Sequence, residues 1–168
     1  MQFHKYHALG NDYLVLDPKN FEEIPSCEAI RRICHRNLGI GSDGILWGPF
    51  NQEEGKENFN LRIFNPDGSE AEKSGNGLRI FCRYLWDQRL VDSNASFLVN
   101  TKGGVVEATV HHDVQEVTVS MGKVSFTSDM IPVKGDSREV LQEKLQIEDQ
   151  VFEFCAATIG NPHCVIRT

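Results

Sequence analysis

One segment of the 168-residue chain, residues 74–85, begins with a serine and two glycines and continues with regularly spaced apolar residues. The apolar side chains of this segment recur at helical spacing, at Leu78, Phe81, Cys82 and Leu85. This spacing predicts an amphipathic helix with one buried face. Ser74 suits the N-cap position, but Gly75 and Gly77 after it each cost a helix roughly 1 kcal/mol relative to alanine. The two glycines therefore need a reason other than helix stability.

The first turn of this helix is predicted to bind a carboxylate. Gly75 and Gly77 lack Cβ atoms, so a ligand can approach N–H groups that have no intrahelical acceptor and lie at the positive end of the helix dipole. Asn76 adds an amide with both a donor and an acceptor, which suits the α-amino and carboxylate groups of an amino acid. A plain N-cap role for Ser74 is the alternative.

Short strand-like segments make up most of the remaining chain. They lie near residues 3–7, 12–17, 43–48, 59–65, 96–100, 104–110, 115–122, 151–157 and 163–168. A helix of about three turns is predicted between Ser26 as N-cap and Gly39 as its end. A short polar helix is predicted at 137–146, and an exposed loop at 51–58. The chain is therefore expected to mix α and β structure.

Two glycine-containing motifs are predicted to be turns. The GIGSDG motif at 39–44 matches a dinucleotide-binding fingerprint by letter, but a helix precedes it and a strand follows it, the reverse of the order that fingerprint requires. The NPDGSE motif at 65–70 places Pro66 and Gly68 where a chain reversal favours them.

Composition limits the partners of the chain. A formal net charge of −7 and a pI near 5.3 argue against a nucleic-acid partner, because such surfaces need clustered Lys and Arg. The five cysteines form no C-x-x-C pair, no signal-like segment opens the chain, and no apolar run approaches the roughly 18 residues of a membrane helix. We expect a cytoplasmic protein with free thiols, no membrane partner and no metal site.

One internal repeat links the two ends of the sequence. LGNDYLVLD at 9–17 and IGNPHCVIR at 159–167 align without gaps, each with Gly-Asn before an apolar strand. Gly-Asn is also a common turn dipeptide, so chance similarity is the alternative. If the repeat is genuine, a second copy of the fold begins near the end of these residues.

Five motifs resemble the N-terminal half of the diaminopimelate epimerase family: GNDY, GIGSDG, RIFNPDGSE, SGNG and IGNPHCVI. The resemblance covers nearly all of the chain, and it is specific because five separate motifs agree in order and spacing. It implies an α+β (mixed α/β) fold of two pseudo-symmetric halves, each a curved sheet wrapped round a central helix. Residues 1–118 would form the first half, and 119–168 would begin the second.

The resemblance also implies a cofactor-independent epimerase or racemase whose substrate is a small-molecule amino acid, with a homodimer as a compatible assembly. In this family two cysteines, one from each half, act as acid and base on opposite faces of the α-carbon. By similarity, Ser74 and His163 are the acid/base residues of this half. The residues assigned to substrate binding are Asn11, Asn65, Gly75, Asn76 and Asn161.

The chain departs from the family pattern at three places. Ser74 stands where the C-G-N-G motif has its cysteine, and a hydroxyl is far harder to ionise than a thiol, whose unperturbed pKa is about 8.5. Cys82 lies two helical turns further on and cannot replace that cysteine. Gly44 stands where well-studied members have a glutamine. The C-G-S-G motif of the second half is absent from these residues, as expected of a piece of a longer protein or of a remnant.

Three interpretations of the function stay open. The first is a diaminopimelate epimerase that converts LL- to meso-diaminopimelate in lysine biosynthesis. The second is a related amino-acid racemase, such as a histidine racemase. In both, Ser74 either takes the place of the thiol or is a serine introduced to block turnover. The third is a non-catalytic amino-acid-binding remnant.

Overall fold

The computed structural model describes residues 2–50, 58–112 and 116–167. The chain divides into two compact units, residues 1–120 and residues 121–168. Nearly all of the loop predicted at 51–58 lies outside the described residues. No helix in the described part is long and apolar enough to cross a membrane.

The described residues of the first unit form eight strands and two α-helices. The strands are β1 (His4–Ala8), β2 (Asn11–Leu16), β3 (Ile45–Phe50), β4 (Asn58–Phe64), β5 (Glu70–Ala71), β6 (Ser96–Thr101), β7 (Gly104–Val110) and β8 (Val117–Val119). The helices are α1 (Cys27–Cys34) and α2 (Gly75–Asp87), and a single 3-10 turn covers Pro18–Asn20. The predicted strands of this unit are confirmed.

The sheet of the first unit curls around α2. Its strand order is β1-β2-β3-β4-β6-β7-β8, with β5 paired to β4. Neighbouring strands are antiparallel except for β2 with β3 and β4 with β6. Helix α2 contacts β1 and β2 at one end of this order and β7 and β8 at the other. One helix can reach both ends only of a curved sheet, so the predicted sheet wrapped round a central helix is confirmed.

The periodicity of α2 correctly identified its buried face. Its four predicted core side chains, Leu78, Phe81, Cys82 and Leu85, are all fully buried. The alternating residues of β4, Phe59, Leu61 and Ile63, are buried as well. Burial of apolar side chains such as these is the main favourable contribution to folding.

Helix α1 covers other residues of the same sheet. Its Ile30 and Cys34 pack in one cluster with Leu14, Leu16 and Ile45. Leu46, the residue after Ile45 on β3, contacts the first turn of α2 instead. A Cβ built on Gly77 would lie 3.1 Å from the Leu46 Cδ2 atom. Because successive side chains of a strand point to opposite faces, β2 and β3 are covered on both faces. This explains their continuous apolar runs.

The predicted length of α1 was wrong. The helix ends at Cys34, and His35 has extended backbone angles. The chain then folds back on the helix, where the N–H groups of Ile40 and Gly41 donate to the carbonyl of Ile33, each at 3.0 Å. Gly39 is needed for this close approach, because a Cβ there would lie 1.9 Å from the Arg32 carbonyl oxygen. Gly39 therefore belongs to the returning turn and does not end the helix.

The second unit is built on a three-stranded antiparallel sheet. Its strands are β9 (Glu143–Ile147), β10 (Gln150–Thr158) and β11 (Pro162–Ile166), in the order β11-β10-β9, and a 3-10 turn covers Ser128–Met130. Ile131, Val140 and Ala156 form its small buried core. That this unit begins a second half of the fold stays a prediction.

The polar helix predicted at 137–146 is wrong. Residues 143–147 form β9, which pairs with β10 from Glu143↔Phe154 to Ile147↔Gln150. Val140 is fully buried, while Leu141 and Leu145 are exposed, so the apolar residues do not form one helical stripe. Pairing with β10 therefore overrides the helical propensity of the segment.

The two copies of the internal repeat have similar local structure. In the first, Leu9 and Gly10 form a two-residue hairpin turn with φ values of 55° and 87°. The two turn residues therefore lie one position earlier than Gly10-Asn11, the turn dipeptide of the repeat. In the second, Gly160 has φ of 97° and lies in the turn between β10 and β11. Both copies thus place a glycine with positive φ at a hairpin before a strand.

Candidate active site

Ser74 is the N-cap of α2, as its sequence position predicts. Its backbone is extended, and its Oγ accepts a hydrogen bond from the N–H of Gly77 at 3.0 Å. The N–H groups of Gly75 and Asn76 donate to no acceptor among the described residues, as expected for the first turn of a helix. These two groups lie at the positive end of the α2 dipole, where an anion is stabilised.

The two glycines of this turn have different surroundings. Gly77 is buried, and a Cβ on it would lie 3.1 Å from Leu46 and 3.2 Å from Ser74 Oγ. A Cβ on Gly77 would therefore be tight against β3 and the cap, which gives this glycine a packing reason of its own. Gly75 is half-buried. That these glycines make room for a ligand stays a prediction.

A chain of four hydrogen-bonded side chains lies beside this turn. Asn11 Nδ2 donates to the Asp43 carboxylate at 2.9 Å, and Asn76 Nδ2 donates to Asn11 Oδ1 at 3.2 Å. Arg79 in turn donates to Asn76 Oδ1. A carboxylate can only accept and a guanidinium can only donate, so the two charged ends fix the orientation of both amides. Two predicted binding residues, Asn11 and Asn76, are thereby brought together.

Asp43 belongs to a charged cluster at one end of this chain. Arg36 donates to the Asp43 carboxylate at 2.7 Å and to both Asp12 oxygens at 2.7 and 3.2 Å. The ammonium of Lys5 lies 3.0 Å from Asp12. These hydrogen bonds, that of Arg36 first, hold the pKa of Asp12 well below its usual range. The GIGSDG turn therefore orients site residues through Asp43.

Tyr13 connects Ser74 to the sheet. The Tyr13 hydroxyl lies 3.3 Å from Ser74 Oγ. Its ring lies against the backbone of Gly44, where a Cβ would be 2.6 Å from the ring atom Cε1 and 2.5 Å from the Phe64 carbonyl oxygen. A side chain at position 44 would therefore displace the ring. Two departures from the family motif, Ser74 and Gly44, thus both contact Tyr13.

Asn65 does not join the pair formed by Asn11 and Asn76. Its side chain donates to Ser69 Oγ at 3.0 Å, and its carbonyl accepts from Gly68 N–H at 2.9 Å. Asp67 accepts from both the N–H and the hydroxyl of Ser69. The predicted NPDGSE turn is confirmed, and in this structure the amide of Asn65 serves that turn.

Asn161 and His163 lie in the second unit, and both are exposed. Nδ1 of His163 is 2.6 Å from the carbonyl oxygen of Asn161. His163 pairs with Ala157 across β10 and β11. Their assignment to substrate binding and acid/base chemistry stays a prediction.

Cys82 is excluded as a reactive group by its environment. Burial in the core raises the pKa of its thiol to about 12. Burial also raises the pKa of Cys34, although a hydrogen bond from Ser42 opposes this change. The thiol that Ser74 replaces is therefore not supplied from within the core of the first unit.

Three residues of this site were missed in the sequence analysis. Arg79 follows Asn76 by three positions on the same helix, and Tyr13 follows Asn11 by two positions on the same strand. Both spacings place side chains on one face and could have identified them. Asp43 precedes a strand that pairs in parallel with that of Asn11, a neighbour relation that only the fold reveals.

Sequence comparisons connect this geometry to known proteins. The family model described as diaminopimelate epimerase matches residues 3–127. "Diaminopimelate epimerase 2" of Nostoc sp. (strain PCC 7120) is 61% identical over 166 residues, which is 99% of this chain and 57% of that protein. The diaminopimelate epimerase of Pseudomonas entomophila is 39% identical, over 99% of this chain and 59% of that protein. The chain thus spans less than two thirds of the length of these relatives.

Solved structures share the fold at low sequence identity. A hydroxyproline epimerase from Agrobacterium vitis has a TM-score of 0.69 at 14% identity, over 98% of this chain and 50% of that one. A probable proline racemase from Agrobacterium radiobacter K84 has the same TM-score and identity, over 98% and 51%. These likenesses show the fold alone. The family match and the sequence identities show more, and on them this chain belongs to the diaminopimelate epimerase family.

Proposed function

We propose that this protein is a cofactor-independent epimerase that inverts the α-carbon of diaminopimelate, converting the LL to the meso form in lysine biosynthesis. The observation that carries the proposal is the first turn of α2. There Ser74 Oγ and the Asn11–Asn76 amide pair lie together with two N–H groups that have no acceptor in the described part of the chain. The names of the sequence relatives support diaminopimelate as the substrate. A cytoplasmic location and independence of pyridoxal phosphate are part of the same proposal.

Each group at the turn has a chemical task in this reaction. The α-carboxylate binds at the N–H groups of Gly75 and Asn76, where the helix dipole stabilises its charge. The two oriented amides retain one N–H and one lone pair each for the α-amino and carboxylate groups. By the family resemblance, Asn65 and Asn161 complete the binding of the amino acid.

The reaction moves one proton off the α-carbon and another onto its opposite face. A base on one face removes the α-proton, and the electron pair of that C–H bond stays on the carbon. Ser74 then donates its hydroxyl proton to the other face, which leaves negative charge on Oγ. His163 is proposed to assist this step. The group on the other face is assigned by the resemblance to the second half of the fold.

A second candidate function is amino-acid binding without catalysis. The observation that favours it is that Ser74 already acts as an N-cap, a structural role that needs no reactivity. A serine hydroxyl is also a much weaker acid than the cysteine thiol that the family motif has at this position. A related amino-acid racemase acting on histidine would use the same groups at the α-carbon.

Solvent exchange at the α-carbon separates these functions. The full chain is incubated in D2O with LL-diaminopimelate, meso-diaminopimelate and L-histidine, and α-deuterium is followed by NMR. We expect deuterium in diaminopimelate together with inversion of its α-carbon, and an inversion rate on the order of 10²-fold lower in Ser74→Ala. Ser26→Ala is the matched control, because Ser26 caps α1 in the same way, accepting from Ala29 N–H at 3.2 Å. Binding without deuterium incorporation into any substrate would favour the non-catalytic function.

A further inference from the structure

Two potential donors flank the oxygen that we assign to proton transfer. The N–H of Gly77 lies 3.0 Å from Ser74 Oγ and the Tyr13 hydroxyl lies 3.3 Å from it. We propose that Tyr13 is a positioning residue that acts through Ser74: its O–H donates to Oγ, leaves the serine proton free for the substrate, and stabilises the negative charge that proton transfer leaves there. The catalytic part of this inference rests on the proposed function, but the hydrogen bond does not.

The direction of the hydrogen bond follows from the partners of the two hydroxyls. Tyr13 is only 7% exposed. Within the described residues, the one hydrogen-bond partner of its hydroxyl is Ser74 Oγ. If Ser74 donated to Tyr13, the phenol proton would lack an acceptor in a nearly buried position, which is costly. Ser74 is half-buried, so its own proton can point away from the protein. Donation by Tyr13 satisfies both groups.

The position of the Tyr13 ring is fixed by the sheet. Tyr13 lies on β2, and its ring edge occupies the space beside Gly44, where any Cβ would lie 2.6 Å from Cε1. The backbones are joined at this point, because Leu14 N–H donates to the Gly44 carbonyl at 3.1 Å. The ring therefore cannot shift towards β3, and its hydroxyl is held beside Ser74.

Three features then act together on Ser74 Oγ. The Tyr13 O–H and the Gly77 N–H both donate to it, and it lies at the positive end of the α2 dipole. Donors that are already in place stabilise the charged form of an oxygen more than its neutral form. This arrangement offsets part of the disadvantage of a serine where the family motif has a cysteine.

A thiol at position 74 reports this environment without any substrate. In Ser74→Cys, the thiol pKa is measured from the pH dependence of iodoacetamide labelling. Trypsin cleavage after Lys73 and Arg79 releases a 74–79 peptide that contains no other cysteine position. Adding Tyr13→Phe should raise this thiol pKa by about one unit, because a hydrogen bond to the thiolate is lost. Adding Tyr6→Phe should leave it unchanged, since the Tyr6 hydroxyl donates to Asp87.

The same variants are then compared in the exchange assay, with inversion of the α-carbon measured beside deuterium incorporation. With Ser74 in place, Tyr13→Phe should slow inversion on the order of 10²-fold, as loss of one oxyanion donor does elsewhere. In Ser74→Cys the same change should cost less than about tenfold, because a thiolate depends less on donors. An equal loss in both backgrounds would overturn the proposal.

The two readouts separate failure of this inference from failure of the proposed function. If no variant exchanges the α-hydrogen, the proposed function fails and the thiol pKa alone decides the hydrogen bond. A thiol pKa that Tyr13→Phe leaves unchanged overturns the inference whatever the activity. A raised pKa together with the unequal losses supports it.

Discussion

Ser74 has two roles at one oxygen, which the sequence could not separate. As an N-cap it satisfies the N–H of Gly77, and as the proposed acid it must present a proton to the substrate. The first role was predicted from residue type and position alone, because cap chemistry is local. The contact with Tyr13 was not, because those residues are 61 positions apart and meet only through the fold.

Variants at position 74 can separate stability from chemistry. Ser74→Ala removes the cap acceptor and should lower the free energy of unfolding by about 1 kcal/mol, measured by urea denaturation. Ser74→Asn should keep most of that stability, because asparagine is an equally good N-cap. Both variants should lose inversion of the α-carbon. Inversion retained in Ser74→Asn would show that the hydroxyl proton is not used.

Asp43 determines which way the two site amides point. In Asp43→Asn an amide NH2 group replaces one carboxylate oxygen. Asn11 and Arg36 donate to different oxygens of Asp43, so the asparagine cannot accept both hydrogen bonds in the same way. We expect the KM for the amino acid to rise about tenfold with a smaller change in kcat, since a hydrogen bond that orients a binding group is lost.

The matched control for Asp43 is Glu70→Gln. It removes a carboxylate that Arg62 binds at 3.0 and 2.9 Å, without a contact to the site amides. Its KM should stay at the wild-type value. An unchanged KM in Asp43→Asn would show that the amide orientation does not matter for binding.

At the scale of secondary structure, periodicity succeeded where burial is one-sided. The stripe of α2 and the alternation of β4 each face a single core, so the pattern in the sequence is the pattern of burial. Within residues 137–146 Val140 alone is buried, so no apolar stripe faces a core, and the structure of the segment depends on pairing between β9 and β10. That pairing is not visible in the local sequence. The end of α1 was missed for a similar reason, since the turn that closes over it is stabilised by backbone hydrogen bonds.

The contact between β2 and the turn after α1 should make stability depend on acid pH. Arg36 and Lys5 lower the pKa of Asp12 in the folded state, so this carboxylate stabilises the fold at pH values above its unfolded pKa of about 3.9. The contribution is lost as pH falls through the folded pKa. Asp12→Asn should therefore be less stable than wild type at pH 7, with a difference that shrinks below about pH 4.

Urea denaturation of both chains between pH 7 and pH 2 measures this effect. Glu143→Gln serves as the comparison, because Glu143 also binds an arginine, Arg138, but lies in the second unit. A stability difference for Asp12→Asn that stays constant across this range would contradict the assignment.

At the scale of the whole chain, motif order in the sequence was sufficient to identify the family and its curved sheet. Five short motifs at separate positions agree with one fold, and tertiary structure then brings Asn11 and Asn76 together as the resemblance implied. The resemblance also assigned Asn65 to substrate binding, but its amide is bonded within its own turn. Motif matching therefore pointed to the first turn of α2 but gave no role to Asp43, Arg79 or Tyr13, whose side chains contact Asn11, Asn76 and Ser74.

We propose that the residue at position 74, at the N-terminus of α2, delivers the proton to one face of the α-carbon. The most direct test measures α-deuterium incorporation and inversion of configuration side by side, with diaminopimelate, for the full chain and for Ser74→Cys. We expect the serine chain to exchange the α-hydrogen faster than it inverts the α-carbon. The reason is that serine is a weaker acid than the cysteine that the family resemblance assigns to the other face. Ser74→Cys should raise the inversion rate on the order of 10²-fold by restoring a matched acid. The absence of exchange in the serine chain, together with no gain in inversion rate from the cysteine, would contradict this assignment.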